Sequence, residues 1–131
     1  MALLEGHCDL VVHSLKDLPT VPVDGLVVTA TPTREDPRDV LVARDSLGLA
    51  DLPAGSRIGT GSPRRARQIA VARPDITLVD IRGNVPTRVG RVKGLAAVAE
   101  RAGLQPGKAA EDLDGVVLAR AGLRRLGMDE A

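Results

Sequence analysis

From Arg57 to Arg82 the chain passes through a short apolar stretch, a polar turn, a helical pattern, a proline and a second short apolar stretch. Runs too brief for helices, alternating with segments whose apolar residues recur three and four apart, dictate an α/β fold rather than a helical bundle or an all-β sandwich. Strands are expected at 9–13, 26–31, 40–43, 56–59, 76–81 and 115–119. Between the fourth and fifth, Ser62 caps a helix that has Pro63 at its first position, Ala66, Ile69 and Ala70 on one face, and Arg73-Pro74 as its stop. A second helix is expected after Asn84, with Val85, Val89 and Val92 at helical spacing, and a short third one at 121–126.

Length and composition bound what these elements can build. The 131 residues suffice for one domain, or one domain with part of another, and 44% hydrophobic residues can form a core. That core is aliphatic, because Phe, Tyr and Trp are absent. Their absence removes the stacking platforms on which single-stranded nucleic acid is held. The single cysteine, Cys8, excludes an internal disulfide and fits a reducing compartment. With His7 and His13 it forms half of a zinc pattern and no more, so no metal is expected. No apolar run approaches the roughly 18 residues of a membrane span, and Met-Ala-Leu-Leu-Glu-Gly has no basic leader, so a cytoplasmic location is expected.

Residues 29–39 are polar, carry two prolines between two expected strands, and read as a crossing point between lobes. Residues 95–112, "LAAVAERAGLQPGKAAED", read as a helix followed by an exposed loop. The start, Ala2-Leu3-Leu4, resembles the tail of a helix that runs straight into a strand. Two such elements cannot enclose a core, so the residues before about 30 are expected to belong to a lobe completed by other polypeptide.

Charge points to the ligand class. Residues 57–91 hold eight arginines, no lysine and only Asp75 and Asp80, a balance of +6 that leaves about −5 for the rest. Guanidinium forks match carboxylates or phosphates bidentately; a solvated basic face is the plainer reading. Spacing favours a site. In "RIGTGSPRRARQ", 57 to 68, a strand ends at Gly59, the Thr60-Gly61-Ser62 turn gathers amides and hydroxyls, and Arg64 and Arg65 stand in the first helical turn, against the helix dipole. "DIRGNVPTR", 80 to 88, repeats the arrangement, and in "LARAGLRRLG", 118 to 127, Arg120, Arg124 and Arg125 follow a strand. Ligands of parallel α/β sheets gather at carboxyl ends of strands. One ligand with several carboxylates or phosphates is implied. Neither a dinucleotide fingerprint nor a Walker sequence is present.

"VVHSLKDLPT", "GTGSPRRARQ", "DIRGNVPTR" and "LARAGLRRLG", in this order, closely resemble the porphobilinogen deaminase (hydroxymethylbilane synthase) family, and "REDPRDVLVA" and "LPAGSRIGT" fit as well. The resemblance runs from about residue 2 to 128, interrupted at 95–112, which reads as an insertion. It implies a cytoplasmic transferase of tetrapyrrole and heme biosynthesis that condenses four porphobilinogen units, with loss of ammonia, into a linear hydroxymethylbilane. The growing chain would be held on a dipyrromethane cofactor, linked to a cysteine of the family's third domain. The resemblance further implies a periplasmic-binding-protein-like lobe, domain 2, at 32–131, with a remnant of domain 1 at 1–31.

Position by position, Asp17 falls on the family's catalytic aspartate, which contacts pyrrole nitrogens and stabilises the positive charge that develops in the reaction. Ser14, Lys16, Thr60, Ser62, Arg64, Arg65, Arg82, Arg88 and Arg125 fall on contacts to cofactor carboxylates, with Asn84 in the same turn as a cap or shaping residue. Gly61 and Pro63 replace the more usual serine and leucine. The third domain with its cysteine, and the family's N-terminal stretch, are not in this sequence, and Cys8 is assigned to strand packing. The chain alone is therefore expected to be inactive, needing a complementary polypeptide. Its partners would be porphobilinogen and linear pyrrole intermediates, with no nucleic acid and no membrane. A non-catalytic binding module for poly-carboxylates, derived from the same fold, is the competing reading.

Overall fold

The computed structural model describes residues 2–128, and the chain divides into two units, Met1–Arg34 and Glu35–Ala131. In the first unit, turns at 2–6 are closed by Gly6 N–H to the Leu3 carbonyl at 3.1 Å and His7 N–H to the Ala2 carbonyl at 2.8 Å. These are turns, not the expected helix tail. Further along this unit lie a short 3-10 turn, Leu15–Asp17, and a turn closed by Leu26 N–H to the Val23 carbonyl at 3.1 Å. The strands expected at 9–13 and 26–31 do not form. Apolar alternation is only half of a strand; the other half is a neighbouring backbone to complete the ladder, and among the described residues of this unit none pairs. Val12, Val27 and Leu15 are accordingly exposed, and Cys8 is half-buried outside any strand.

The second unit holds one four-stranded sheet: β1 (Asp39–Ala43), β2 (Arg57–Thr60), β3 (Thr77–Asp80) and β4 (Gly115–Ala119), in the order β1-β4-β2-β3. β2 runs parallel to β3, with Arg57 opposite Thr77 and Thr60 opposite Asp80, and parallel to β4, with Ile58 opposite Gly115. β1 is antiparallel to β4, so Asp39 lies opposite Ala119. Four of the six expected strands thus form, within a residue or two at each end.

Helix α1 (Pro63–Ala72) connects β2 to β3; α2 (Val85–Val89) and α3 (Ala96–Arg101) precede the return loop to β4; α4 (Arg120–Arg125) follows it. α2 is shorter than its valine spacing suggests. It ends at Gly90, where Leu104 occupies the space a side chain would fill, and Val92 bridges to Leu113.

Period-2 alternation along the strands divides the core between two faces. Val42, Val116 and Leu118 face Val89 of α2, Ala99 of α3 and Leu123 of α4. Ala43, Ile58 and their partly buried neighbours Leu41, Leu78 and Val117 pack with Ile69 of α1, Leu52 and Ile76. Both clusters are wholly aliphatic, apart from the methionine Met128 in the first.

Candidate anion-binding site

Because β2, β3 and β4 are mutually parallel, their carboxyl ends open on one edge of the sheet, and each continues into an arginine-bearing turn. At the end of β2, the buried Thr60 Oγ1 accepts the Ser62 N–H at 3.2 Å, and Ser62 caps α1, its Oγ accepting the Arg65 N–H at 3.5 Å. Pro63 at the next position needs no partner for a missing N–H. At the end of β3, Asn84 Oδ1 accepts both the Thr87 N–H at 3.0 Å and the Thr87 hydroxyl at 2.7 Å, while Arg88 Nε donates to the Gly83 carbonyl at 2.8 Å. Gly83 takes φ +107°, a conformation open mainly to glycine.

The two turns meet at Gly61, where a Cβ would lie 2.6 Å from the Ile81 carbonyl oxygen. A side chain at 61 would push the turns apart. Beside this contact is an open cleft of about 360 Å³ lined by Thr60, Ser62, Pro63, Leu78, Asp80 and Arg82 among others. Arg82 is 93% exposed, with its Nε 4.0 Å from Asp80.

Of the expected site residues, Thr60, Ser62 and Arg82 line this cleft. Asn84 and Arg88 shape the adjoining turn. Arg125 lies exposed in the last turn of α4. Ser14, Lys16 and Asp17 are exposed in the first unit, Lys16 and Asp17 within its 3-10 turn.

Sequence reasoning missed the carboxylates that meet these arginines. Asp39 Oδ1 takes Arg65 Nη2 at 2.6 Å and Oδ2 faces Arg64 Nη2 at 3.5 Å. The Arg65 bond, opposed by burial and assisted by the charges of Arg65 and Arg64, holds the Asp39 carboxyl below its usual range. This pairing is why two arginines are tolerated at the positive end of α1. Asp36 is clamped by Arg38, Nε lying 2.9 and 3.0 Å from its two oxygens, and Arg120 stands 3.4 Å away. The Arg38 hydrogen bonds hold its carboxyl far below the ordinary range. Glu35 takes Arg124 at 2.7 Å. Within the +6 stretch, Arg73 pairs with Asp75, and Arg57 and Arg91 with Asp112. Part of the charge excess is therefore structural. The available signal was the acid-rich "REDPRD" just before a strand whose partner β4 ends against Arg120.

Among the described residues no group of His, Cys, Asp and Glu is placed to hold a metal ion, and no helix is long and apolar enough to cross a membrane.

The family model described as "Porphobilinogen deaminase, dipyromethane cofactor binding domain" matches residues 1–131. The chain is 60% identical to a porphobilinogen deaminase of Cutibacterium acnes over 126 residues, which is 96% of this chain and 36% of that protein. It is 55% identical to that of Micrococcus luteus over 98% of this chain and 34% of the relative, and 52% identical to that of Thermobifida fusca over 96% and 34%. The chain thus spans about a third of the length of the curated relatives it matches.

Proposed function

Because the chain belongs to the porphobilinogen deaminase family, we propose that it forms part of a transferase that condenses porphobilinogen units into hydroxymethylbilane with release of ammonia. In this reading residues 32–131 are a periplasmic-binding-protein-like lobe, with 95–112 as an insertion, that receives the carboxylates of dipyrromethane. Residues 1–31 carry the catalytic motif. The observation that supports it best is the single sheet edge on which the ends of β2, β3 and β4 each lead into arginines. Exposed Leu10, Val12, Val27 and Val28 support the view that the first unit packs against further polypeptide.

The donors suit the cofactor. Acetate and propionate groups call for several cationic or hydroxyl donors at one place, and Thr60, Ser62 and Arg82 around the cleft, with Arg64 and Arg65 on α1 and Arg88 beside Gly61, provide that chemistry, to which Arg125 of α4 would add a further cation. When bound, dipyrromethane supplies the covalent primer for the pyrrole chain. Arg82 would bind a carboxylate and fix its orientation, Asn84 and Gly83 would hold the turn that presents Arg88, and Ser14 and Lys16 would add polar contacts. Asp17 would stabilise, with its fixed negative charge, the cation that develops on a pyrrole unit as ammonia departs.

Titration of the chain with a dipyrromethane bearing acetate and propionate groups tests this reading. Arg82→Ala is expected to weaken binding by about 1.5–3 kcal/mol, and unchanged affinity would contradict the assignment. For catalysis, the chain is mixed with polypeptides supplying the flanking regions of a relative and given porphobilinogen. Ammonia and bilane should appear with the native chain and be lost with Asp17→Asn.

A further inference from the structure

Asp39 opens β1 directly opposite Ala119, where β4 runs into α4. From there its carboxylate reaches the first turn of α1 and engages two guanidiniums, neither of them fully. Arg64 Nη2 is 3.5 Å away and its Nη1 is 3.3 Å from Gln68 Oε1, and the side chain is 64% exposed. Arg65 makes a close bond through Nη2, yet its Nε is buried and has no hydrogen-bond partner. A carboxylate seated between two incompletely satisfied arginines imitates what a ligand carboxylate would do at the same place.

Resting on the reading above, in which this edge receives ligand carboxylates, we propose that Asp39 is an internal stand-in for a ligand carboxylate, holding Arg64 and Arg65 until it is exchanged for one. The exchange swaps one carboxylate for another at the guanidiniums. Asp39, whose side chain is already 29% exposed, passes to water. A lone carboxylate therefore gains little, since Asp39 already supplies its contacts. A ligand with several carboxylates gains Arg82 and its neighbours as well, so Asp39 sets a threshold that favours poly-carboxylates.

Calorimetric titration with the same dipyrromethane, at fixed ionic strength, compares the native chain with Asp39→Asn. Removing the competing charge should tighten binding roughly threefold to tenfold, the scale of one part-exposed ion pair. Equal or weaker binding by Asp39→Asn, with the native chain still binding, would overturn the competition and leave the proposed function standing. No binding by either would remove both. Independently of that variant's folding, the Asp39 carboxyl carbon resonance of the native chain should move as the ligand saturates the site. A resonance that stays put would also overturn the exchange.

Discussion

At the scale of single residues, Asp114 shows how one carboxylate can join distant parts of the chain. It is buried just before β4, and its oxygens accept the Arg57 N–H at 2.8 Å, Arg44 Nε at 3.0 Å and Lys93 Nζ at 3.0 Å. Burial alone would raise its pKa, but the Arg57 N–H, Lys93 and Arg44 together outweigh it and hold the group ionised. Asp114→Ala leaves a backbone donor and part-buried cations without their acceptor, and should cost about 2–3 kcal/mol in a urea denaturation series. Gly61 is limiting in another way. A methyl group there meets the Ile81 carbonyl, a backbone atom that cannot rotate aside, so Gly61→Ala should destabilise by roughly 1–3 kcal/mol. The same variant separates the β2 and β3 turns, and titration should show weaker dipyrromethane binding as well; a variant as stable as the parent would show that the turns have room to part.

At the scale of elements, what decides whether an apolar run becomes a strand is the presence of a neighbour. Val116, Val117 and Leu118 lie in a strand paired on both sides, whereas Leu10, Val11 and Val12, equally strand-like in sequence, stay outside any strand and exposed. Hydrogen exchange should separate the two cases, with amides of β2 and β4 protected and those of 9–13 and 26–31 exchanging nearly as fast as unstructured chain. Protection at 9–13 equal to that of β4 would show that these residues do pair. The α/β pattern, the Ser62 and Asn84 caps and the arginine-bearing turns were legible in the sequence, since each depends on residues within a few positions. The pairing of Asp39 with Arg65 was not, because it joins β1 to α1 across β4 and β2 and exists only once the sheet order is set. Neither was the packing of Leu104 onto Gly90 at the end of α2, which brings a residue from beyond α3 back to that helix.

At the scale of the whole molecule, carboxylates rather than aromatic packing distribute the tie points of an aliphatic sheet. Asp36, Asp39, Asp75, Asp112 and Asp114 are all held below their ordinary pKa of 3.8, the first four chiefly by hydrogen bonds from arginine and the last against the effect of its own burial. A group whose folded pKa is depressed stabilises the fold at pH above its unfolded value, and that stabilisation is lost as pH falls through the folded value. The arginines opposite stay protonated throughout, so no compensating loss of positive charge occurs. Stability measured by urea denaturation should therefore be nearly flat from about pH 7 to pH 5 and fall progressively below about pH 4. Asp39 ties the start of β1 to the arginines of α1, and Asp36 ties the segment before it to Arg120 of α4, so acid should also loosen this edge. Asp39→Asn should make the decline shallower, since one of the titrating groups is gone. A stability that stays level down to about pH 2.5 would show that these ion pairs are screened by solvent and contribute little to the fold.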